Sequence, residues 1–233
     1  IDIPLPVLKK WQSRIADLLG RITPPDFLFS PVKGRSYVDN AMRHKSSRAF
    51  WMLDIENYFP SCSAKNTSYF FSKIMKCPPD IVKLLVDITT YNSSLPQGSP
   101  CSPILAYYSN FDMWNDIFEV TKKYECSLSV YADDITISSN SFVPKKLVCE
   151  IKQRVNMQGL SIKKEKEGNV IRKPARITGV IINNNQTLLP NKQHKKLSQL
   201  KHEYAIQRNP TIRKKIKNKI LGRVSQKEQI ENR

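Results

Sequence analysis

Apolar residues recur along the chain at two spacings, and the change from one to the other marks the elements. Between Pro6 and Ile22, the residues Val7, Leu8, Trp11, Ile15, Leu18, Leu19 and Ile22 fall at helical intervals behind a proline, until Thr23-Pro24-Pro25 breaks the run. Ser36-Tyr37-Val38-Asp39 has the form of a capping box and predicts a helix through about His44. Asn40 and His44 lie four apart on it and share a face, which periodicity alone reads as exposed and polar. Ala49 to Ile55 is mostly apolar and rich in large side chains, the pattern of a strand buried on both faces. Short helices are predicted at about 64–76 and 80–91. The turn-rich stretch Leu95 to Pro103 then feeds one amphipathic helix carrying Ile104, Leu105, Tyr108, Phe111 and Phe118. Ser129 to Ser138 alternates polar and apolar residues around Ala132-Asp133-Asp134, which predicts a hairpin with carboxylates at its tip. Beyond it the pattern predicts a helix near 144–157, a charged loop or edge at 162–167, a strand over 176–182 interrupted by Gly179, and a turn at Asn183-Asn184-Asn185. From Asn191 onward apolar residues thin to Leu197, Leu200 and Tyr204, then Ile212, Ile216, Ile220 and Val224, at helical spacing in a basic background.

The charge balance narrows the partner. Over 233 residues, 38 Lys and Arg face 20 Asp and Glu, a net charge of +18 that points to a polyanion. An anionic membrane competes with nucleic acid for that role, but no apolar run approaches a membrane span and no signal-peptide pattern opens the chain. Helices such as those after Asn191 usually carry solvated charge; here one sign dominates, and Lys214, Lys215, Lys217 and Lys219 are candidates for phosphate contact. Cys62, Cys77, Cys101, Cys126 and Cys149 are odd in number and never in a Cys-x-x-Cys pair, so they read as core residues of a reducing cytoplasm. The chain begins without methionine, inside what reads as a structured segment, so upstream sequence is expected.

Adjacent aspartates at a hairpin tip are either a solvated turn or a pair neutralised by a cation. Asp54 bears on the choice, because a carboxylate closing a buried strand is costly unless it is paired or metal-bound. Strand ends and hairpin tips can meet on one side of a sheet, which would join Asp54 to Asp133 and Asp134. Oxygen ligands without nearby His or Cys suit a hard cation such as Mg2+, and two such ions clamp the oxygens of a phosphoryl transfer. Residue chemistry alone therefore points to nucleotidyl transfer.

At these residues the chain resembles reverse transcriptases. Leu53-Asp54-Ile55-Glu56-Asn57-Tyr58-Phe59-Pro60-Ser61, then Leu95-Pro96-Gln97-Gly98-Ser99-Pro100 through Ser102-Pro103, then Tyr131-Ala132-Asp133-Asp134 are similar to successive motifs of that family in order and spacing. Two further segments are similar to the bacterial retron enzymes: Asn40-Ala41-Met42-Arg43-His44, matching Asn-Ala-x-x-His, and Ile177-Thr178-Gly179, matching Val-Thr-Gly with Ile for Val. The resemblance runs from residue 1 to about 205.

The resemblance implies an α+β right-hand polymerase: fingers over 1–48 with an upstream part missing, an antiparallel-sheet palm over 49–187 with a finger insertion at about 63–97, and a short basic helical thumb over 188–233. It implies that Asp54, Asp133, Asp134 and the carbonyl of Ile55 hold two Mg2+ ions, with Mn2+ as a substitute. It sets Tyr58, Phe59, Gln97, Gly98 and Lys166 at the incoming deoxynucleotide, with Phe59 as the gate against a ribose 2′-OH. Simple core packing is the other reading of Phe59. Lys166 has rivals in Lys163 and Lys164, and Glu167 stands where the family usually has Thr. Asn40, His44, Ile177, Thr178 and Gly179 would contact a structured noncoding RNA, which serves as template and primer. The implied activity is RNA-directed DNA synthesis from dNTPs. It would start at a 2′-OH, yield a branched RNA–DNA product held as a hybrid, and serve antiphage defence with an effector protein. Two alternatives stay open: another bacterial reverse transcriptase, from an intron or a different defence system, and a catalytically silent RNA-binding scaffold. The family also often has Asn where this chain has Tyr107, and its basic triphosphate-gripping finger residues are not identifiable here.

Overall fold

A computed structural model describes residues 2–232. Strands β1 (Leu28–Ser30), β2 (Ala49–Asp54), β3 (Ser127–Tyr131), β4 (Asp134–Ser139) and β5 (Gly168–Ile171) form one sheet in the order β1-β3-β4-β2-β5. All neighbours are antiparallel except β1, which joins the edge parallel to β3. The sheet is therefore mixed where an antiparallel one was expected. The chain returns from β1 to β3 only after a long excursion, which a parallel pair requires and a hairpin does not.

The apolar run of β2 has a direct cause in its position, because the strand supplies two cores at once. Ala49, Leu53 and Trp51 belong to the main core, whereas Phe50 and Met52, on the other face, belong to a second. The main core packs Leu128, Val130, Ile135 and Ile137 of β3 and β4 against helices α6 (Ser102–Tyr108), α7 (Phe111–Lys123) and α8 (Lys145–Met157). The second core joins Val38 and Ala41 of α2 (Tyr37–Met42) to a three-stranded sheet of β6 (Ala175–Ile177), β7 (Val180–Asn183) and β8 (Gln186–Leu188). It also takes in Leu189 and Ile230. It thus draws on residues from both sides of the 48/49 and 187/188 divisions.

The other helices are α1 (Pro6–Leu19), α3 (Tyr58–Ser61), α4 (Ala64–Tyr69) continuing into a π turn (Phe70–Ile74), α5 (Pro79–Thr89), α9 (Asn191–Ile206) and α10 (Pro210–Glu231). Three expectations need correction. The single amphipathic helix after Pro103 is two, α6 and α7, because the side-chain amide of Asn110 donates to the Ala106 carbonyl at 2.8 Å while its backbone N–H turns to Tyr107. The strand over 176–182 is a hairpin, β6–β7, turning at Thr178 and Gly179 with φ of 43° and 88°. Positive φ at both central residues is what a two-residue turn between twisted strands demands. Cys149 is exposed and is not a core residue. The capping box at Ser36 and Asp39 forms as predicted, but its helix stops at Met42, short of His44. No described helix is long and apolar enough to cross a membrane.

Candidate active site

β2 and β4 place the carboxylates. Asp54 closes β2 and lies directly across from Asp134, which opens β4. Asp133 occupies the intervening turn, where its carbonyl accepts from the Ile55 N–H at 3.0 Å. Asp54 is buried, 5% exposed. Burial pushes the Asp134 carboxyl up to about 6, aided by the charges of Asp133 and Asp54. Asp133 is raised in the same way, burial first and then Asp54, with Lys166 opposing. The cluster carries more negative charge than its surroundings balance.

The balance that exists comes from Lys166. Its ammonium donates to Asp54 Oδ2, and that bond holds the Lys166 pKa above its ordinary value. Lys166 lies in a short 3-10 turn, Lys164–Lys166, which follows the bridge between Ile55 and Ile162. Among the three candidate lysines, this one reaches the carboxylates. Glu167, next in the chain, accepts from Trp51 Nε1 at 2.9 Å and from Lys152 Nζ at 2.7 Å. It ties the turn to β2 and α8, a role that Thr is too short to fill. Asp54, Asp134 and Lys166 line a cleft of about 580 Å³ together with Tyr131, Arg176, Thr178 and Gly179. Tyr131 and Arg176 were not anticipated, although alternation along their strands marks both as outward-facing.

The donor set fits a hard divalent cation: three carboxylates and a nearby carbonyl, all oxygen. A cation held by Asp54 would compete with Lys166 for Asp54 Oδ2. In the present arrangement no three His, Cys, Asp or Glu side chains among the described residues converge closely enough to enclose an ion.

The Gln97-Gly98 loop is exposed and pinned at both ends. Leu95 is buried, and its N–H donates to the Cys62 carbonyl, while Ser102 Oγ donates to the Pro96 carbonyl at 2.7 Å. Gly98 has φ of 135°, a conformation that side-chain-bearing residues avoid. Cys62 also closes the turn bearing Tyr58 and Phe59, so the loop and that turn are joined. Phe59 is half-buried against the main core. Tyr58 is not at a nucleotide surface: it is 5% exposed, and its hydroxyl donates to the Ala106 carbonyl at 2.8 Å. Neither Phe59, Gln97 nor Gly98 lines the carboxylate cleft. Tyr107 is buried and meets Tyr108 and Phe111 edge-on, so the departure there is one of core packing.

Asn40 and His44 are not on an exposed face and cannot contact RNA directly. They are 1% and 0% exposed. Ser129 and Ser138 occupy the sheet face opposite the main core, and their hydroxyls bond the two ring nitrogens of His44, each at 2.7 Å. Burial drives the His44 pKa down to about 3, with the neighbouring Arg43 charge assisting. Asn40 donates to Thr178 Oγ1 at 3.2 Å, and Thr178 donates to the Tyr37 carbonyl at 2.9 Å. The two segments expected to touch RNA therefore touch each other. Ile177 is buried in the second core, and Thr178 and Gly179 face the cleft. Lys214, Lys215, Lys217 and Lys219 are exposed on the N-terminal half of α10.

Comparisons with known proteins place the chain's sequence in one family. The family model described as "Reverse transcriptase (RNA-dependent DNA polymerase)" matches residues 3–182. The chain is 32% identical over 164 residues to the Retron Se72 reverse transcriptase of Salmonella heidelberg (strain 579083-10), an alignment covering 68% of this chain and 43% of that protein. It is 29% identical over 206 residues to the Retron Ec83 reverse transcriptase of Escherichia coli, covering 82% and 59% respectively. The chain thus spans about half the length of the curated relatives it matches. Among solved structures, a foamy viral protease-reverse transcriptase in complex with RNA/DNA hybrid aligns with a TM-score of 0.47 and 17% identity, over 74% of this chain and 21% of that one.

Proposed function

This chain belongs to the reverse transcriptase (RNA-dependent DNA polymerase) family, and from that premise we propose that it is the RNA-directed DNA polymerase of a retron. The observation that carries the reading is the pairing of Asp54 with Asp134 across β2 and β4, with Asp133 in the adjoining turn. In this reading the antiparallel strands β2 to β5 form the palm, the segment before β2, whose β1 joins the edge of that sheet, and the insertion at about 63–97 are fingers, and α9 and α10 are the thumb. Asp54, Asp133, Asp134 and the Ile55 carbonyl would hold two Mg2+ ions, or Mn2+ in their place. Bound there, the ions supply charge stabilisation to the attacking and leaving oxygens of nucleotidyl transfer.

The remaining roles belong to the chain's own groups. Lys166 leaves Asp54 when the site is loaded and neutralises the departing pyrophosphate, or donates a proton to it. Phe59 excludes a ribose 2′-OH, and Gln97 and Gly98 wall the incoming dNTP. Tyr58 holds that wall from behind. Thr178 and Gly179 meet the nucleic acid, while Asn40 and His44 keep the hairpin and sheet in place for it. The names of the curated relatives support a retron reverse transcriptase; we propose with it a structured noncoding RNA as template and primer, a branched RNA–DNA product, an effector protein, and antiphage defence in the cytoplasm.

Replacing Asp133→Asn together with Asp134→Asn tests the reading. DNA synthesis on a primed RNA template with Mg2+ is expected to fall by at least about 100-fold, the scale on which electrostatic transition-state groups act. RNA binding is expected to persist. Normal extension by a folded double variant would overturn the assignment.

A further inference from the structure

At the far end of β2 from Asp54 lies a second cleft, of about 470 Å³, that the polymerase reading does not use. Arg48, the residue before β2, forms one side of it, and Arg172 and Lys173, in the connection from β5 to β6, form another. The backbone brings the two sides together, since the Arg172 N–H donates to the Arg48 carbonyl at 2.8 Å. Arg172 holds φ of 52°, a left-handed conformation unusual for a long side chain, so its place is specified by the surrounding fold. Phe50 and Ile182, both buried, belong to the floor. The Asn183–Asn185 turn supplies the opposite wall, with exposed amides at Asn184 and Asn185.

All three basic side chains are exposed, and none forms an ion pair among the described residues. No carboxylate lines the cleft. Gathering three cations without a counter-charge costs free energy through their mutual repulsion, and a polyanion relieves it. Guanidinium forks bind phosphate oxygens in pairs, and side-chain amides can donate to phosphate or accept from a 2′-OH. Six residues of extended chain separate this cleft from Asp54, about 20 Å, too far for one nucleotide to occupy both.

We propose that this cleft is a second RNA-binding site, gripping the phosphodiester backbone of an RNA whose reacting end lies at the carboxylate cleft. The proposal rests on the reading that the protein works on RNA. The grip anchors the body of the RNA on the back of the palm, apart from the copied strand.

The test measures binding of a fluorescein-labelled RNA hairpin with a single-stranded tail, by anisotropy across a salt series. The proteins are the parent and the variant Arg48→Gln/Arg172→Gln/Lys173→Gln. Loss of three phosphate contacts is expected to reduce the slope of log affinity against log salt by about 2 to 3, and to weaken binding at low salt by at least about tenfold. A charge-preserving variant, Arg48→Lys/Arg172→Lys, is expected to restore most of the slope. Should the triple variant fail to fold by thermal melting, the exposed Lys173→Glu change alone must lower the slope by about one. An unchanged slope in a folded variant overturns the proposal and leaves the cleft to an acidic protein. Extension by Asp133→Asn/Asp134→Asn, measured in parallel, separates the two readings. Normal synthesis there removes the catalytic role given to Asp133 and Asp134 without touching the cleft, and an unchanged slope removes the cleft without touching the carboxylate site.

Discussion

Held between Ser129 and Ser138, the His44 imidazole must stay neutral to remain in the fold. Its folded pKa, about 3, lies below the unfolded value of about 6.5, so the unfolded chain binds the proton more readily. The stability that neutral His44 contributes is whole above pH 6.5 and drains away as pH falls toward 3, by about 1.4 kcal/mol per unit. The parent is therefore expected to exceed His44→Gln in stability at pH 7.5, and that lead to shrink by about 2 kcal/mol at pH 5. Urea denaturation at the two pH values checks this, and a constant lead would refute it. Single residues also show the limit of legibility in the sequence. Asp54, Asp133 and Asp134 stood out because carboxylates interrupt apolar runs there. His44 did not, because the hydroxyls that satisfy it come from two strands about 90 positions away, and no spacing announces them.

At the scale of elements, β3, β4 and α8 were legible, since each keeps one apolar period along its length, and β2 was legible because its short apolar run suits a strand buried on both faces. The break between α6 and α7 was not. Asn110 ends one helix by taking over a backbone role with its side chain, and apolar spacing carries no trace of that. The β6–β7 hairpin was hidden likewise, because Thr178 is a β-branched residue in a conformation usually left to Gly and Asn. Its hydroxyl, accepting from Asn40 and donating to Tyr37, holds it there. Thr178→Val keeps the shape but takes the hydroxyl away from the buried Asn40 amide and from the Tyr37 carbonyl, at an expected cost of about 2 kcal/mol. The melting temperature is expected to drop by about 4–8 °C, and Thr178→Ser to recover most of it. A Val variant that melts with the parent would mean the hairpin is held by its apolar neighbours alone.

Across the whole molecule, α10 is anchored at one end. Its C-terminal part is fixed to β8, where Thr187 Oγ1 donates to the Ile230 carbonyl at 2.5 Å. Its N-terminal half, with Lys214, Lys215, Lys217 and Lys219, runs along α9, where Arg213 stacks over Tyr204. If these lysines meet phosphate, changing all four to Gln lowers the salt slope of RNA binding by about 3. An unchanged slope would mark the face as merely solvated. The net charge of +18 made a polyanionic partner legible; which surfaces meet it depended on where the chain brings its cations together.

One contact also governs how such a molecule can come into being. Many metal centres cannot assemble until the ion arrives, since bare ligands repel one another and the apo chain stays open. Here the Lys166 ammonium rests on Asp54 and supplies a positive charge from within the chain. The nascent protein can therefore complete its sheet with the acidic residues already gathered, whatever the supply of divalent ions around it.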